Sequence, residues 1–120
     1  MPLSPLPSQS STQHPPQAVL IVDDEQDIRE LLALLLRDLG FDPITAPDGE
    51  QALSLFRVRA ATAAVPIILT DIKMPGLDGI GLLRAVKEID PDTEVIMISG
   101  HGDMELAILS LKHGAADFIT

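Results

Sequence analysis

Acidic side chains follow two of the short apolar runs of this 120-residue sequence, and a hydroxyl follows a third. These residues are Asp23, Asp24 and Glu25 after the first run, Asp71 after a later one and Ser99 after the next. Carboxylates that are crowded together repel one another, which raises their pKa values, and a bound divalent cation relieves that repulsion. Oxygen ligands without cysteine or clustered histidine favour a hard ion such as Mg²⁺. If these side chains meet, the sequence predicts a magnesium site.

Each of these residues also has a simpler explanation. The acidic run can cap a following helix or lie in its first turn, where negative charge is favoured by about 0.3–1 kcal/mol. Asp71 can be an ordinary turn residue ahead of a Pro-Gly pair. Ser99 followed by Gly100 is by itself only a turn signal, and His101 is typical of a solvated loop. The shared position of the acids and the hydroxyl at the ends of three predicted strands favours a common site.

The spacing of apolar residues predicts the elements that must position these side chains. From Ala18 onward, short β-prone runs alternate with segments of helical periodicity. The predicted strands cover residues 18–22, 41–46, 65–70, 94–98 and 116–119. Helices are predicted between them, the last two over residues 79–89 and 103–113. Because Pro43 cannot donate to a ladder, the second strand is expected at a sheet edge.

Apolar residues recur at helical spacing along the predicted helices, and the second and third helices have a predicted buried face. The first helix carries Ile28, Leu31, Leu32, Leu35 and Leu39 and ends at Gly40. The second helix begins at Asp48-Gly49, and its predicted buried face is Ala52, Leu53 and Phe56. The third helix has Leu82, Leu83 and Val86 as its predicted buried face, and the fourth helix ends at Gly114. The fourth helix has too many apolar residues for one narrow stripe, so part of this set is expected to be exposed: Met104, Leu106, Ala107, Ile108, Leu109 and Leu111.

This alternation predicts an α/β fold with a doubly wound parallel sheet, right-handed crossovers and helices on both faces. In such a sheet, ligands bind beyond the carboxyl ends of the strands, near the point where the strand order reverses. Asp23, Asp24 and Asp71 are therefore expected to converge there, with Ser99 alongside.

Composition excludes several classes of function. The chain has 18 Asp and Glu against 8 Lys and Arg, a formal charge of −10, and no cysteine. Nucleic-acid phosphates and anionic lipids repel such a charge, and the absence of cysteine excludes disulfides, thiolate zinc sites and cysteine nucleophiles. No apolar run approaches the ~20 residues of a membrane span. We therefore expect a cytoplasmic protein that binds neither nucleic acid nor membrane directly.

Residues 1–17 differ in composition from the rest of the chain. They hold five of the ten prolines and four serines, but no glycine and no charged residue. Such a segment buries too little apolar surface to offset the entropy lost on ordering. The sequence thus predicts a flexible tail at 1–17 and one domain at 18–120.

The ordered motifs of residues 18–120 resemble the receiver domain of two-component response regulators. The resemblance is carried by Val22-Asp23-Asp24-Glu25, Asp71-Ile-Lys-Met-Pro-Gly76, Asp78-Gly79, Ile98-Ser99-Gly100 and Gly114-Ala-Ala-Asp-Phe-Ile119. It implies a flavodoxin-like five-stranded sheet of order 2-1-3-4-5. It also implies a phosphorylation-dependent signalling switch rather than an enzyme, with a histidine kinase or phosphotransfer protein as phosphodonor and an output domain in a longer parent protein.

The resemblance assigns roles to individual residues. Asp71 would be the phosphoacceptor. Mg²⁺ would be bound directly by Asp24 and Asp71, through a water by Asp23, and through the backbone carbonyl of Lys73. The metal is needed because phosphoryl transfer to a carboxylate brings negative charge to negative charge.

Other positions match the family's switch and output surface. Ser99 would turn inward to hydrogen-bond the phosphoryl group, and Phe118 would change rotamer with it; the alternative is that Phe118 is a plain core or edge aromatic. The positions flanking the site are Lys73, Met74, Pro75, Gly100 and His101. The fourth helix and fifth strand would form the face that partners contact, unless the apolar residues of the helix only cover the sheet.

The sequence departs from the family pattern at its end. It stops at Thr120, where the family continues with a lysine that pairs with the phosphoacceptor, then a proline and a last helix. Lys112 lies on a predicted helix and does not take over that role. We therefore expect an incomplete receiver domain, with weakened coupling to Ser99. We also expect apolar surface beside the first helix to be uncovered and to drive self-association.

Two other functions remain open from the residues. A receiver-like scaffold that acts by protein contacts alone is favoured by the missing lysine but not by Asp23, Asp24, Asp71 and Ser99. A Mg²⁺-dependent phosphohydrolase would usually carry Asp-x-Asp on its first strand, whereas Asp23 and Asp24 are adjacent. A flavin site is weaker still, because the chain has no Trp or Tyr to stack on the ring.

Overall fold

Short parallel strands and helices alternate along the chain in a computed structural model that describes residues 16–98 and 104–119, except the side chains at 104, 105, 107 and 118. The strands are β1 (Ala18–Val22), β2 (Asp42–Ala46), β3 (Ile67–Asp71), β4 (Glu94–Ile98) and β5 (Asp117–Ile119). The helices are α1 (Gln26–Asp38), α2 (Gly49–Ala60), α3 (Gly79–Ile89) and α4 (Met104–Lys112). This order confirms the predicted α/β alternation.

The strands form one sheet of order β2-β1-β3-β4-β5, with every neighbouring pair parallel. The order confirms the predicted sheet, and Pro43 lies on the edge strand β2 as expected. The chain runs from β1 outward to β2 and then crosses back to β3 on the other side of β1. The strand order therefore reverses between β1 and β3, where Val22 pairs with Thr70.

Alternate residues of each strand pack against opposite faces of the sheet. Leu20 and Val22 pack into the larger core, which is covered by α2 and α3, and Val19 and Ile21 pack beneath α1. The helix residues buried in the larger core include Ala52, Phe56, Leu82, Leu83 and Val86. Helices thus cover both faces, and the predicted burial of these five side chains is confirmed. Leu53, also predicted on the buried face of α2, is only partly buried against the same core.

Helix ends follow ordinary capping chemistry. The carboxylates of Asp48 and Asp78 accept hydrogen bonds from the backbone N–H groups of Gln51 and Gly81, which begins α2 and α3. After the last turns of α1 and α4, Gly40 and Gly114 have φ values of 95° and 101°. These left-handed conformations favour glycine and end the helices where the sequence predicts.

Some boundaries differ from the prediction. The third strand was expected at 65–70, but it begins at Ile67 because Pro66 has no N–H for the ladder, and it extends to Asp71, which pairs with Ile98. β2, α4 and β5 are each slightly shorter than predicted. The fourth helix does expose apolar surface, as expected, through Ile108, Leu109 and Leu111.

Residues 1–15 of the expected flexible tail lie outside the described residues. Among the helices of the described part, none is both long enough and apolar enough to cross a bilayer.

Two glycines of α3 provide a test of how tightly this helix packs on β3. A Cβ at Gly79 would overlap the carbonyl oxygen of Asp71 and lie 2.9 Å from Ile72 Cα. The nearest atoms to a Cβ at Gly81 would instead be side-chain atoms, Cδ1 of Leu77 at 2.6 Å and Oδ1 of Asp78 at 3.4 Å. We expect Gly79→Ala to lower the free energy of unfolding by about 1–3 kcal/mol. Gly81→Ala should stay within about 1 kcal/mol of wild type because helix propensity offsets the contact. Urea unfolding measures both, and equal effects would contradict this packing.

Candidate metal centre

Three carboxylates meet where the strand order reverses. Val22 of β1 pairs with Thr70 of β3, so the residues that follow them, Asp23 and Asp71, lie side by side at the carboxyl ends of adjacent strands. One carboxylate oxygen from each of Asp23, Asp24 and Asp71 lies within 4.8 Å of the others. Asp23 is buried, Asp71 is half-buried and Asp24 is exposed. The structure therefore brings together the three acids that the sequence singles out.

Asp23 is held in place by three hydrogen bonds. Its Oδ1 accepts the backbone N–H of Glu25 at 2.9 Å, its backbone carbonyl accepts Nη1 of Arg29 at 2.7 Å, and its own N–H donates to the carbonyl of Ala46 at 3.3 Å. Glu25 is the N-cap residue of α1 but makes no side-chain capping bond. The capping explanation thus applies in part, because Asp23 binds a backbone N–H just before the helix. Its carboxylate nevertheless faces Asp24 and Asp71.

Burial raises the pKa of both inward acids. The pKa of Asp23 is raised mainly by desolvation and further by the charge of Asp24, while the N–H of Glu25 and the guanidinium of Arg29 partly offset the shift. Desolvation and then the charge of Asp23 raise the pKa of Asp71 from 3.8 to about 6, against the backbone N–H of Lys73. A bound cation would favour the ionised forms of these carboxylates.

The β3–α3 loop, residues 72–78, carries the remaining predicted ligand. The side chains of Ile72 and Met74 are buried in the larger core. Lys73, which lies between them, and Pro75, which follows Met74, are exposed. This alternation directs Lys73 toward solvent beside Asp71. Met74, predicted to flank the site, has its side chain buried in the larger core.

The loop returns to the strand end through backbone contacts. The N–H of Gly79 donates to the carbonyl of Ile72 at 2.9 Å, and the N–H of Ile72 donates to the carbonyl of Ile98 at 3.2 Å. The hydroxyl of Thr70 donates to the carbonyl of Asp71 at 3.0 Å. The backbone around Asp71 is thereby tied to β4 and to the first residue of α3.

The donor set suits a hard divalent cation. Three carboxylates within reach of one another, with no sulfur or imidazole among them, are the ligands that Mg²⁺ prefers, and an exposed Asp24 leaves room for coordinated water. The cluster has nearby N–H donors and one guanidinium but retains raised pKa values. These residues fit a magnesium ion.

Several predicted site residues cannot be placed. Ser99, Gly100 and His101 lie outside the described residues, as does the side chain of Phe118, whose backbone belongs to β5. β4 ends at Ile98 beside Asp71, which is the strand end where the sequence analysis expects the switch hydroxyl.

Sequence reasoning missed two residues that support the site. Arg29 binds the backbone of Asp23 from the first turn of α1, and Glu50 of α2 binds the β3–α3 loop. A basic residue six positions after Asp23 was a visible signal for the first contact. The second joins segments that are 27 residues apart, so no local pattern predicts it.

A sequence model described as the response regulator receiver domain matches residues 19–120. The chain belongs to this family. Receiver domains are the signalling modules of two-component systems, and the family match contains Asp23, Asp24 and Asp71.

Individual relatives agree with this assignment. A putative NtrX-like response regulator of Rickettsia bellii is 43% identical over 103 residues, which cover 84% of this chain and 21% of that protein. This receiver domain thus spans about a fifth of the length of the curated NtrX-like relatives that it matches.

Solved structures share the fold. The receiver domain of NtrX from Brucella abortus is 43% identical, with a TM-score of 0.77 over 84% of this chain and 82% of that one. The structure of a CheX–CheY–BeF3–Mg²⁺ complex from Borrelia burgdorferi matches at 36% identity, with a TM-score of 0.81 over 91% of this chain and 81% of that one.

The raised pKa of Asp71 predicts how stability depends on pH without divalent cations. Between its unfolded value of 3.8 and its folded value of about 6, the folded protein binds more protons than the unfolded chain. The free energy of unfolding should therefore fall as pH rises through this window, and the loss is complete above it. Because Asp71 is partly exposed, solvent screening reduces this effect. Over this pH range, we expect the free energy of unfolding of Asp71→Asn to fall by about 1 kcal/mol less than that of the wild type.

Urea unfolding in EDTA at several pH values measures this difference. Asp42→Asn is the matched control, because Asp42 is exposed at the opposite, amino-terminal end of β2. The control should keep the wild-type slope. Superimposable profiles for wild type and Asp71→Asn would show that ionisation of Asp71 does not destabilise the folded protein.

Proposed function

We propose that this receiver domain is a phosphorylation-dependent switch in which Asp71 accepts a phosphoryl group from a partner histidine kinase or phosphotransfer protein. The observation that supports the proposal is the meeting of Asp23, Asp24 and Asp71 at the reversal of strand order. A carboxylate oxygen of Asp71 forms the new O–P bond, and the P–N bond to the partner's phosphohistidine breaks. The neutral imidazole leaves after taking a proton from solvent.

The metal-binding roles follow the family pattern. Asp24 and Asp71 would bind Mg²⁺ directly, Asp23 through a water and Lys73 through its backbone carbonyl. The ion supplies positive charge against which two negatively charged groups can approach. The related CheY of Borrelia burgdorferi was solved with Mg²⁺ and BeF3, a mimic of a phosphoryl group. Its likeness to this chain supports the same use of the cluster here.

The switch and its output surface complete the proposal. Ser99 would bind the phosphoryl group and Phe118 would change rotamer with it. The positions flanking the site would be Lys73, Met74, Pro75, Gly100 and His101. The partner-facing surface would be α4 and β5, where the exposed residues include Ile108, Leu109, Leu111 and Ile119. In a longer parent protein this surface would contact an output domain in the cytoplasm, and the acidic receiver domain would not bind nucleic acid or membrane itself.

Labelling with a small phosphodonor tests the assignment of Asp71. In Mg²⁺ and acetyl phosphate, we expect the wild type to show a retarded band on a phosphate-affinity gel and Asp71→Asn to show none. EDTA should abolish the band, because the charge of the phosphoryl group is then not neutralised. Asp42→Asn removes the same charge far from the cluster and should label normally. Equal labelling of wild type and Asp71→Asn would overturn the proposal.

The proposal includes self-association through an apolar surface on the α1 side of the sheet. Ile28, Leu31, Leu35 and Leu39 form a stripe along α1 that we call the α1 stripe, with exposed fractions between 36% and 73%. α1 packs mainly on β1 and β2, and on the same face of the sheet Ile67, Ile96 and Ile98 of β3 and β4 are only partly buried. Contiguous apolar surface of this kind favours association.

Light scattering at tens of micromolar protein tests this surface. We expect a mass above that of the monomer for wild type and a monomeric mass for Leu35→Glu, which places a charge in the α1 stripe. Val58→Glu is the matched control, because Val58 is 70% exposed on α2, away from the stripe. A monomeric wild type would contradict self-association.

A further inference from the structure

We propose that Glu50 is a positioning residue for phosphoryl transfer, because its carboxylate holds the β3–α3 loop that carries Lys73 next to Asp71. Glu50 is not one of the three carboxylates of the cluster; it acts through the backbone of the loop, at Leu77. The inference rests on the proposed function and adds a residue on α2 to the elements that shape the site.

The contact joins two segments that are distant in sequence. Oε2 of Glu50, in the first turn of α2, accepts the backbone N–H of Leu77 at 2.8 Å. Leu77 is the residue before Asp78, which caps α3 by accepting the N–H of Gly81. A hydrogen bond from a backbone N–H to a carboxylate is roughly twice as strong as one between neutral groups.

Glycines on both sides of the contact allow this close approach. Gly76 has a φ of 74°, and a Cβ there would lie 2.6 Å from Oε2 and 3.1 Å from Oε1 of Glu50. A Cβ at Gly49 would overlap the carbonyl oxygen of Leu77. The carboxylate therefore occupies the space over the loop that any side chain at Gly76 would need. The first turn of α2 therefore packs directly against the end of the β3–α3 loop.

Several contacts anchor the loop, and Glu50 holds the part that follows the buried side chains. The carbonyl of Ile72, the first loop residue, accepts the N–H of Gly79, and the side chain of Ile72 is buried. In the middle, the side chain of Met74 is buried in the core. From there to Asp78, Pro75 and Gly76 are exposed. Without Glu50, the left-handed Gly76 is free to sample other conformations. That freedom extends back toward the carbonyl of Lys73, which the proposed function assigns to the metal.

Glu50→Gln and Glu50→Ala separate the hydrogen bond from the charge. The amide oxygen of glutamine can accept the N–H of Leu77, and alanine cannot. We expect Glu50→Ala to slow labelling by acetyl phosphate three- to tenfold at a fixed Mg²⁺ concentration, and Glu50→Gln to remain within twofold of wild type. Glu88→Ala is the matched control, since Glu88 is exposed on α3 outside the loop. It should label at the wild-type rate.

Amide hydrogen exchange at Leu77, measured by NMR, gives a readout that does not depend on phosphate. Exchange should accelerate in Glu50→Ala and not in Glu50→Gln. If wild type and Glu50→Ala label equally fast, or if Glu50→Gln is as slow as Glu50→Ala, the positioning role is wrong while the function of Asp71 stands. If the wild type does not label at all, the proposed function fails and this role fails with it.

Discussion

Three negative charges share one edge of a parallel sheet, and much of the surrounding structure accommodates that arrangement. Asp23 follows β1 and Asp71 ends the adjacent strand β3, so the parallel pairing of these two strands places the two acids side by side. Their burial removes the water that would screen them, which is why both pKa values are raised. Backbone N–H groups and Arg29 reduce the electrostatic cost of burying these carboxylates close together. Part of this cost remains in the folded protein, and a bound cation would lower it further.

The fold isolates this edge from the hydrophobic packing that stabilises the domain. Fully buried side chains such as Phe56, Leu82 and Val86 lie between the sheet and the α2–α3 layer. The loop after β3 belongs to both regions, because Met74 is buried while Lys73 is exposed beside the acids. One short segment thus connects the core to the site. Contacts that hold the segment, such as the one from Glu50, act on the chemistry without touching it.

The accuracy of the sequence-based boundaries depended on local signals. The helix at 79–89 and the strand at 94–98 were predicted with their observed bounds, since Asp78 caps the helix and a β-prone run defines the strand. The third strand was misplaced because its apolar run includes Val65, which is buried but lies before Pro66 and outside the ladder. Burial and strand pairing are different properties, and hydrophobic pattern reports only burial.

Local pattern alone was enough to establish the element order, the parallel sheet and the identity of the acids that end its strands, because periodicity and capping involve residues a few positions apart. It was not enough to give the 4.8 Å grouping of the three carboxylates, the pKa of about 6 for Asp71 or the bond from Glu50 to Leu77. Those features emerged only when the folded sheet brought distant segments together. Distances, desolvation and long-range hydrogen bonds depend on neighbours in space, which the linear order of residues does not specify.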